Sequence, residues 1–319
     1  MPTAQIIYNP AAGRFPVTPA IPLAEKALQN EGWETSTVET NSGQHATALA
    51  AEAAEKGIAA VYAVGGDGTI GQIASGLMGT DTALAILPAG TSNVLGKELG
   101  LRPYTMIDRN SLQDNAQKLA RAPRYAIDVG ICNEQPFLMW AGLGLDALTI
   151  KKAEPQFRFE KFFTIPDYAA SMIAAARNWR GVSLRIWADG KKIEGHYILA
   201  VVNNIRLYGG GLIKLSPNAL LDDGIFDLWL YSGETMADAL RLVYEMLSGK
   251  HITSPHAMRV PFRELRLEAD TAFAIQTDGE LRFDTKLAEI SVKKRALHAL
   301  LPATAVERLS SAPLKGSFA

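Results

Sequence analysis

The chain has 319 residues, of which 48% are hydrophobic and 20% are charged, so it can bury a large core and is long enough for two domains. Its 32 lysines and arginines balance 33 aspartates and glutamates, which excludes a strongly basic surface for nucleic acid. The single cysteine, Cys132, excludes an internal disulfide framework and thiolate zinc clusters. We expect a cytoplasmic protein, because the N-terminus lacks signal-peptide features and no apolar run reaches membrane-spanning length.

Short apolar strands alternate with helical patterns up to about residue 122. The predicted strands cover residues 6–8, 33–38, 59–64 and 83–87, and the predicted helices cover residues 23–30, 45–56 and 69–78. This alternation predicts an α/β domain of three layers with a parallel sheet, whose ligands bind beyond the carboxyl ends of the strands. We assign this domain to residues 1–122.

The most informative motif is Gly-Gly-Asp-Gly-Thr at residues 65–69, directly after a strand with the composition of one buried on both faces. Glycines let a ligand approach the main chain, and the first N–H groups of the following helix lack intrahelical partners, so this turn can hold phosphate. Asp67 would repel a bare phosphate and therefore indicates a nucleotide bound with Mg²⁺. The alternative is an ordinary turn, since glycine and aspartate are also common turn residues.

The other predicted strands are also followed by loops of small or polar residues. These loops are residues 9–13 after the first strand, Thr40 after the second and residues 88–93 after the fourth. The carboxyl ends of parallel strands meet at one edge of a sheet, so the four loops should converge. That convergence favours a nucleotide site over four unrelated turns.

After Arg124 the pattern changes to strands joined by turns. One hairpin is predicted from strands 125–132 and 137–141 with its turn at residues 133–135, and another from strands 184–188 and 197–202 with its turn at residues 189–190. Further strands are predicted at 264–267, 272–276 and 288–292, and helices at 166–179 and 235–249. We therefore predict a mainly antiparallel β-sandwich domain at residues 123–305 and a C-terminal tail at residues 306–319.

Asp278-Gly279-Glu280 follows an apolar strand and supplies two carboxylates that could accept the proton of a hydroxyl group. If extended geometry continues through Gly279, both side chains face the same side of the strand. The alternative is a plain Asp-Gly turn.

Six motifs occur in the order found in one enzyme family. They are Asn-Pro-Ala-Ala-Gly at 9–13, Gly-Gly-Asp-Gly-Thr at 65–69, Leu-Pro-Ala-Gly-Thr-Ser-Asn at 87–93, Tyr-Gly-Gly-Gly at 208–211, Leu-Asp-Asp-Gly-Ile-Phe-Asp at 221–227 and Asp-Gly-Glu at 278–280. The chain resembles the bacterial lipid kinases of the diacylglycerol kinase catalytic-domain family, which are also similar to sphingosine kinases. The resemblance extends over nearly the whole sequence.

The resemblance implies an ATP-dependent kinase that transfers the γ-phosphate to diacylglycerol or a related lipid alcohol at a membrane surface, with ATP and Mg²⁺ as cofactors. The ATP-binding residues that it implies are Asn9, Pro10, Ala11, Ala12, Gly13, Thr40, Gly65, Gly66, Asp67, Gly68, Thr69, Ile70, Gly71 and Thr91. It implies that Asp67 acts through magnesium, and that Glu280, or else Asp278, takes the acceptor proton.

The resemblance also implies a structural magnesium ion bound by Asp223 and the main chain of Leu220 and Ile225, for which a solvated turn is the alternative. Two departures from the family pattern stand beside the nucleotide site. Gly71-Gln72 replaces the usual Asn-Glu, and Val94 replaces an aspartate.

These departures leave two other functions open: a lipid- or nucleotide-binding protein with weak or no turnover, and a soluble-substrate kinase similar to NAD kinases. Residues 157–163 combine aromatic and basic side chains, which suit either contact with the inner face of a membrane or a place in the core. The sequence leaves the oligomeric state open, with a homodimer as one assembly that it permits.

Overall fold

The computed structural model describes residues 1–148, 174 and 179–311. The chain forms two compact units, each built from segments that are separate in sequence. Unit 1 comprises Met1–Asp128, Leu221–Asp223 and Lys294–Ala319, and unit 2 comprises Val129–Leu220 and Gly224–Lys293. Across the described part of the chain, no helix combines the length and the apolar character needed to span a bilayer.

Unit 1 alternates strands and helices, as the sequence predicts. Its first elements are β1 (Thr3–Tyr8), α1 (Ile21–Asn30), β2 (Glu34–Glu39), α2 (Gly43–Glu55), β3 (Ala60–Gly65), α3 (Asp67–Leu77), β4 (Ala83–Pro88), α4 (Val94–Glu98) and α5 (Ser111–Ala120). The strands pair in the order β2-β1-β3-β4, and every pair is parallel. β3 and β4 are buried along their whole length, which explains their uninterrupted apolar sequences.

The C-terminal part of the described chain also belongs to unit 1. The long strand β15 (Glu280–Leu300) reaches this unit with its last residues, where Ala299 pairs in parallel with Leu84 of β4. It is followed by α7 (Ala303–Leu309), whose apolar face is buried. The Leu309 carbonyl accepts a hydrogen bond of 2.8 Å from the Leu221 amide, which ties the short segment Leu221–Asp223 to the same unit.

Unit 2 is built mainly from antiparallel strands, and its described part includes a helix of 13 residues. Its elements are the end of β5 (Arg124–Cys132), then β6 (Gln135–Phe137), β7 (Trp140–Gly144), β8 (Val182–Ala188), β9 (Lys191–Asn203), β10 (Leu207–Tyr208), β11 (Ile213–Lys214), β12 (Phe226–Ser232), α6 (Met236–Ser248), β13 (Ala257–Phe262), β14 (Glu264–Thr277) and most of β15. The long strands β9 and β14 each pair with β8 along one half and with β7 along the other. Their inward side chains form one apolar core with those of β12.

Local turn and cap chemistry in unit 2 agrees with the sequence. Both predicted hairpins have two-residue loops, at residues 133–134 and 189–190, and all four loop residues have positive φ. α6 begins with a capping box, in which the Thr235 hydroxyl accepts from the Asp238 amide and the Asp238 carboxylate accepts from the Thr235 amide. It ends at Gly249 in the left-handed conformation.

The predicted fold class, an α/β domain followed by a mainly antiparallel β domain, is confirmed. The unit boundaries differ from the predicted limits of 1–122, 123–305 and 306–319, since the first segment runs to Asp128 and the chain returns to unit 1 at Lys294. The return of the chain to unit 1 depends on pairing between β15 and β4, which are far apart in sequence, so local sequence patterns could not predict it. The predicted helix 166–179 lies almost wholly outside the described residues, and the aromatic segment 157–163 lies outside them entirely.

Candidate active site

The loops after β1, β3 and β4 converge at one edge of the parallel sheet of unit 1. The Asn9 amide donates to the Val64 carbonyl at 3.0 Å, and its side-chain Nδ2 donates to Thr69 Oγ1 at 3.2 Å. The Ala89 amide donates to the Gly65 carbonyl at 2.8 Å. The predicted convergence is therefore confirmed for the loops after β1, β3 and β4, and Thr40, after β2, is bonded to the last residue of β1.

Small residues allow these loops to approach one another closely. A Cβ on Gly13, which has φ of +66°, would overlap the carbonyl oxygen of Ala89. A Cβ on Gly90 would overlap the Cα of Gly66. Glycine at positions 13 and 90 is therefore required by contacts between loops, and the result is a rim made largely of main chain.

Thr40 lies at the same edge but its hydroxyl is already used. The Thr40 amide donates to the Tyr8 carbonyl at 2.9 Å, and its Oγ1 donates to the Ser42 carbonyl at 2.8 Å. Ser42 in turn caps α2. Thr40 therefore fixes the loop that leads into α2, and a role toward a ligand would fall to main-chain atoms nearby.

The N-terminus of α3 presents amide groups without acceptors. The helix begins at Asp67, and its first bonded amide is that of Ile70, which donates to the Gly66 carbonyl at 3.0 Å. The amides of Asp67, Gly68 and Thr69 precede it and find no acceptor within the described part of the chain. Unpaired amides at the positive end of a helix bind anionic oxygens well, so this end of α3 is suited to phosphate.

The carboxylate of Asp67 is held by the main chain of α4. Its Oδ2 accepts from the Val94 amide at 3.0 Å and its Oδ1 accepts from the Leu95 amide at 3.3 Å. Burial raises the pKa of Asp67, although these amide hydrogen bonds and the nearby Lys97 oppose the rise. A carboxylate has about four lone-pair positions, so one oxygen can still face a cation.

The loop before α4 is shaped by Asn93, which has the left-handed φ of 50°. Its Oδ1 accepts from the Gly90 amide at 2.7 Å, and its Nδ2 donates to the Gly90 carbonyl at 2.8 Å. These two bonds close the loop that contains Thr91, whose side chain is exposed. Asn93 is therefore a structural residue of the motif at 87–93.

In unit 2, Asp278 and Gly279 form the two-residue loop of a hairpin that joins β14 to β15. Thr277 pairs with Glu280, and Asp278 and Gly279 have φ of 51° and 86°. The extended geometry on which the sequence analysis placed both carboxylates on one side therefore does not continue through Gly279. The Asp-Gly turn, stated there as the alternative, is the observed conformation.

The two carboxylates of this hairpin have different surroundings. Asp278 accepts main-chain hydrogen bonds from Leu138 and Met139, both at 2.8 Å, and from Trp140 at 3.1 Å. Glu280 is 45% exposed, and its Oε2 lies 3.1 Å from Nη1 of Arg282. Asp278 thus holds three amides in place, whereas Glu280 keeps a side chain that can meet a substrate.

The segment 220–225 contains a buried acid, but it is Asp222 and not Asp223. Burial by itself would raise the pKa of Asp222, yet hydrogen bonds from Ser311 and Tyr125 and the charge of Arg295 lower it overall. Asp223 is only half-buried. No cluster of three or more acidic, histidine or cysteine side chains that could hold a metal occurs among residues 1–148, 174 and 179–311. The magnesium site at Leu220, Asp223 and Ile225 stays a prediction.

Comparison with known proteins decides the family. The diacylglycerol kinase catalytic domain matches residues 3–131, and the YegS C-terminal NAD kinase beta sandwich-like domain matches residues 141–300. The chain belongs to the diacylglycerol kinase catalytic-domain family. Membership makes it a lipid kinase, an enzyme that phosphorylates an alcohol.

Named relatives of this lipid kinase match it along almost their whole length. A diacylglycerol kinase of Bacillus subtilis is 28% identical over 312 residues, which are 97% of this chain and 99% of the relative. One of Mycobacterium tuberculosis is 29% identical over 304 residues, 93% and 94% of the two chains. A crystal structure of a diacylglycerol kinase from Bacillus anthracis has a TM-score of 0.74 at 23% identity, and the match covers 95% of this chain and 98% of that one. At 23% identity, the similarity to this crystal structure supports the fold alone.

Both departures from the family pattern take part in the packing of unit 1. The Gln72 side chain accepts a hydrogen bond of 3.1 Å from Thr47 Oγ1 and lies against Gly43, so it joins α3 to α2. Val94 is buried and donates its amide to Asp67. In this lipid kinase, both positions therefore support the rim of the site through contacts within the protein.

Asp146 is a buried acid of unit 2 that no sequence motif singled out. It lies just after β7, and its carboxylate accepts hydrogen bonds from the Tyr208 hydroxyl and from Gln276 Nε2. Burial raises its pKa to about 6, although both hydrogen bonds oppose the rise. The available signal was a lone acidic residue within the otherwise apolar and glycine-rich run 137–148.

Proposed function

We propose that this protein transfers the γ-phosphate of ATP to the hydroxyl of a lipid alcohol, with diacylglycerol as the first acceptor to test. The observation that carries the proposal is the rim of unit 1, where close-packed glycine loops surround the start of α3 and its first three amides find no acceptor among residues 1–148, 174 and 179–311. Phosphoryl transfer asks a protein mainly to align its substrates and to neutralise charge, which suits such a rim.

The nucleotide would be bound mainly by main-chain atoms. The loop at residues 65–71 supplies amides, the loop at residues 9–13 adds main chain with little side-chain bulk, and Thr40 and Thr91 border the same edge. We assign the phosphate groups to the amides of Asp67, Gly68 and Thr69 because these donors have no partner within the described residues and lie at a positive helix end.

The donor set fits Mg²⁺ bound together with the nucleotide. Mg²⁺ commonly takes one or two carboxylates along with substrate phosphates and waters, and Asp67 is a carboxylate in a position fixed by two amides. When bound, the ion would neutralise charge between phosphate oxygens. The second ion at Asp223, with the carbonyls of Leu220 and Ile225, is part of the same proposal.

Glu280 is our choice for the residue that takes the acceptor proton. As the acceptor oxygen forms its bond to the γ-phosphorus, the bond from that phosphorus to the β-phosphate oxygen breaks, and the hydroxyl proton passes to the Glu280 carboxylate. Asp278 is a weaker candidate, because three main-chain N–H groups already bind it. The lipid would be met at a membrane surface, and a homodimer remains compatible with the proposal.

The test is transfer of radiolabelled γ-phosphate from Mg-ATP to a panel of acceptors: diacylglycerol in mixed micelles, a sphingoid base, a polyprenol and NAD. We expect label in one of the lipids, strongly reduced transfer in Glu280→Gln and Asp67→Ala, and native transfer in Glu264→Gln, an exposed glutamate of the same sheet. Label in NADP would favour the soluble-substrate kinase. ATP binding without transfer to any acceptor would favour the binding protein.

A further inference from the structure

Unit 2 contains a buried carboxylate that the proposed reaction does not use. Asp146 is 4% exposed, and its two hydrogen-bond donors, Tyr208 and Gln276, are 1% and 0% exposed. The Tyr208 hydroxyl donates to Oδ1 and Gln276 Nε2 donates to Oδ2. Burying a carboxylate costs free energy, and neutral donors such as Tyr208 and Gln276 do not offset its charge as a cation would. Asp146 is therefore a candidate for a role beyond packing.

The Gln276 side chain connects Asp146 to the hairpin that carries Glu280. Its Oε1 accepts a hydrogen bond of 2.8 Å from the amide of Gly279, one residue before Glu280. The other loop residue, Asp278, donates its amide to the Trp140 carbonyl at 2.9 Å. The hairpin is therefore held at Asp278 by the main chain at residues 138–140 and at Gly279 by Gln276.

The chemistry of Asp146 fixes the orientation of the Gln276 amide. An ionised carboxylate can only accept hydrogen bonds, so Gln276 must turn its NH₂ group toward Asp146 and its oxygen toward Gly279. The reverse orientation would place the NH₂ group against the Gly279 N–H and would leave two donors facing each other. An asparagine at position 146 could accept from one neighbour with its oxygen but not from both.

The main chain leaves space for this pair of side chains at Gly142 of β7. A Cβ there would overlap Asp146 Oδ2 and would lie 2.6 Å from Gln276 Nε2. Gln276 also pairs with Gly142 in the sheet, so the two side chains pack directly over that residue. The contact between Asp146 and Gln276 therefore belongs to the packing of β7 against β14.

We propose that Asp146 is a positioning residue, which acts through Gln276 to hold the Gly279 main chain and so sets the direction in which the hairpin presents Glu280. This inference rests on the proposed function, in which Glu280 takes the proton of the acceptor. The raised pKa of Asp146 supports the inference, because it shows that burial disfavours the charged carboxylate. A residue with a purely structural role at this position could be neutral and would avoid that cost.

The experiment compares Asp146→Ala, Asp146→Asn, Gln276→Met and the double variant Asp146→Ala with Gln276→Met. Asp227→Ala is the control, since Asp227 is a buried aspartate of the same unit whose carboxylate pairs with Arg259 at 2.8 Å. The measurements are kcat, the KM values for Mg-ATP and for the acceptor, the midpoint of urea unfolding, and the hydrogen-exchange rate of the Gly279 amide.

We expect Asp146→Ala and Gln276→Met each to lower kcat by about tenfold to a hundredfold, with the KM for Mg-ATP unchanged, as for a misplaced catalytic group. The double variant should be no slower than Gln276→Met, because both changes break one link. Asp146→Asn should fall between Asp146→Ala and the native protein, since its oxygen can still accept from Gln276. The Gly279 amide should exchange faster in Asp146→Ala and keep its native rate in Asp227→Ala.

The inference would be overturned if the fold-losses in kcat of the two single variants multiplied in the double variant. It would also be overturned if Asp146→Ala or Gln276→Met kept the native kcat. If Asp146→Ala does not fold, native kcat and native Gly279 exchange in Gln276→Met have the same consequence. A native protein without transfer to any acceptor would instead contradict the proposed function. Hydrogen exchange at Gly279 would then still show whether Asp146 holds the hairpin.

Discussion

Replacement of Asp278 should mainly lower stability, because its carboxylate binds three amides of a buried segment. Leu138, Met139 and Trp140 are all buried, and alanine at 278 would leave their N–H groups without this acceptor. A hydrogen bond to a charged group contributes about 1.5–3 kcal/mol. Asp278 itself is half-buried and water can reach part of the site, so we expect a loss of about 3–4 kcal/mol in the free energy of unfolding.

Asparagine at 278 should cost less than alanine. In the native protein Oδ1 accepts from both Met139 and Trp140, and Oδ2 accepts from Leu138. The asparagine oxygen can keep the first two bonds, so Asp278→Asn should lose about 1–2 kcal/mol. Glu280→Gln should change stability by less than about 1 kcal/mol, since the pair with Arg282 is partly exposed. It should lower kcat by about a hundredfold to ten-thousandfold, as expected for loss of a general base.

The two effects are separated by urea unfolding followed by tryptophan fluorescence and by γ-phosphate transfer at saturating Mg-ATP, on the same preparations. The reasoning would be refuted if Asp278→Asn abolished transfer at native stability while Glu280→Gln kept the native rate. That result would exchange the roles assigned to the two acids.

Three further predictions concern other parts of the chain. Gly90→Ala should raise the Kd for Mg-ATP, measured by calorimetry, by about tenfold or more, because its Cβ would overlap Gly66. Thr235→Ala should lower the urea-unfolding free energy by about 1 kcal/mol at unchanged transfer rate, since it removes the capping box of α6. The folded-state pKa of Asp146 is about 6 against 3.8 for a free aspartate, so the folded state holds its proton more tightly. The free energy of unfolding should therefore fall by about 3 kcal/mol as pH rises from about 4 to 6 and stay level above; Asp146→Asn should lack this fall.

The α/β unit was predictable because its signals are local. β3 and β4 are buried on both faces, and a strand of that kind is an uninterrupted apolar run bounded by turns. The loops at residues 65–69 and 88–93 follow directly, since parallel strands end at a common edge. The first two hairpins of unit 2 could also be predicted from the sequence, because Asn133 and Asp189 tolerate the positive φ that a two-residue loop requires.

Features that depend on contacts between distant residues were not predictable. The apolar run at residues 137–141 predicts one strand, but β6 ends at Phe137 and β7 begins at Trp140. The interruption arises because Leu138 and Met139 turn their amides toward Asp278, about 140 residues away in sequence. The same contacts separate the roles of Asp278 and Glu280, so that distinction could not be drawn from the tripeptide.

Asp67, Asp278 and Glu280 differ in the groups that they bind, and the roles proposed for them are based on this difference. Asp67 and Asp278 bind main-chain amides, which fix a carboxylate rigidly and give it one position. A fixed carboxylate suits cation binding at Asp67 and loop support at Asp278, because neither role requires movement. The Glu280 carboxylate pairs with the side chain of Arg282 and is 45% exposed, which leaves it more freedom to move, as the proposed role in proton transfer requires. Removal of Arg282 should therefore alter kcat first, whereas removal of the amide contacts at Asp278 should alter stability first.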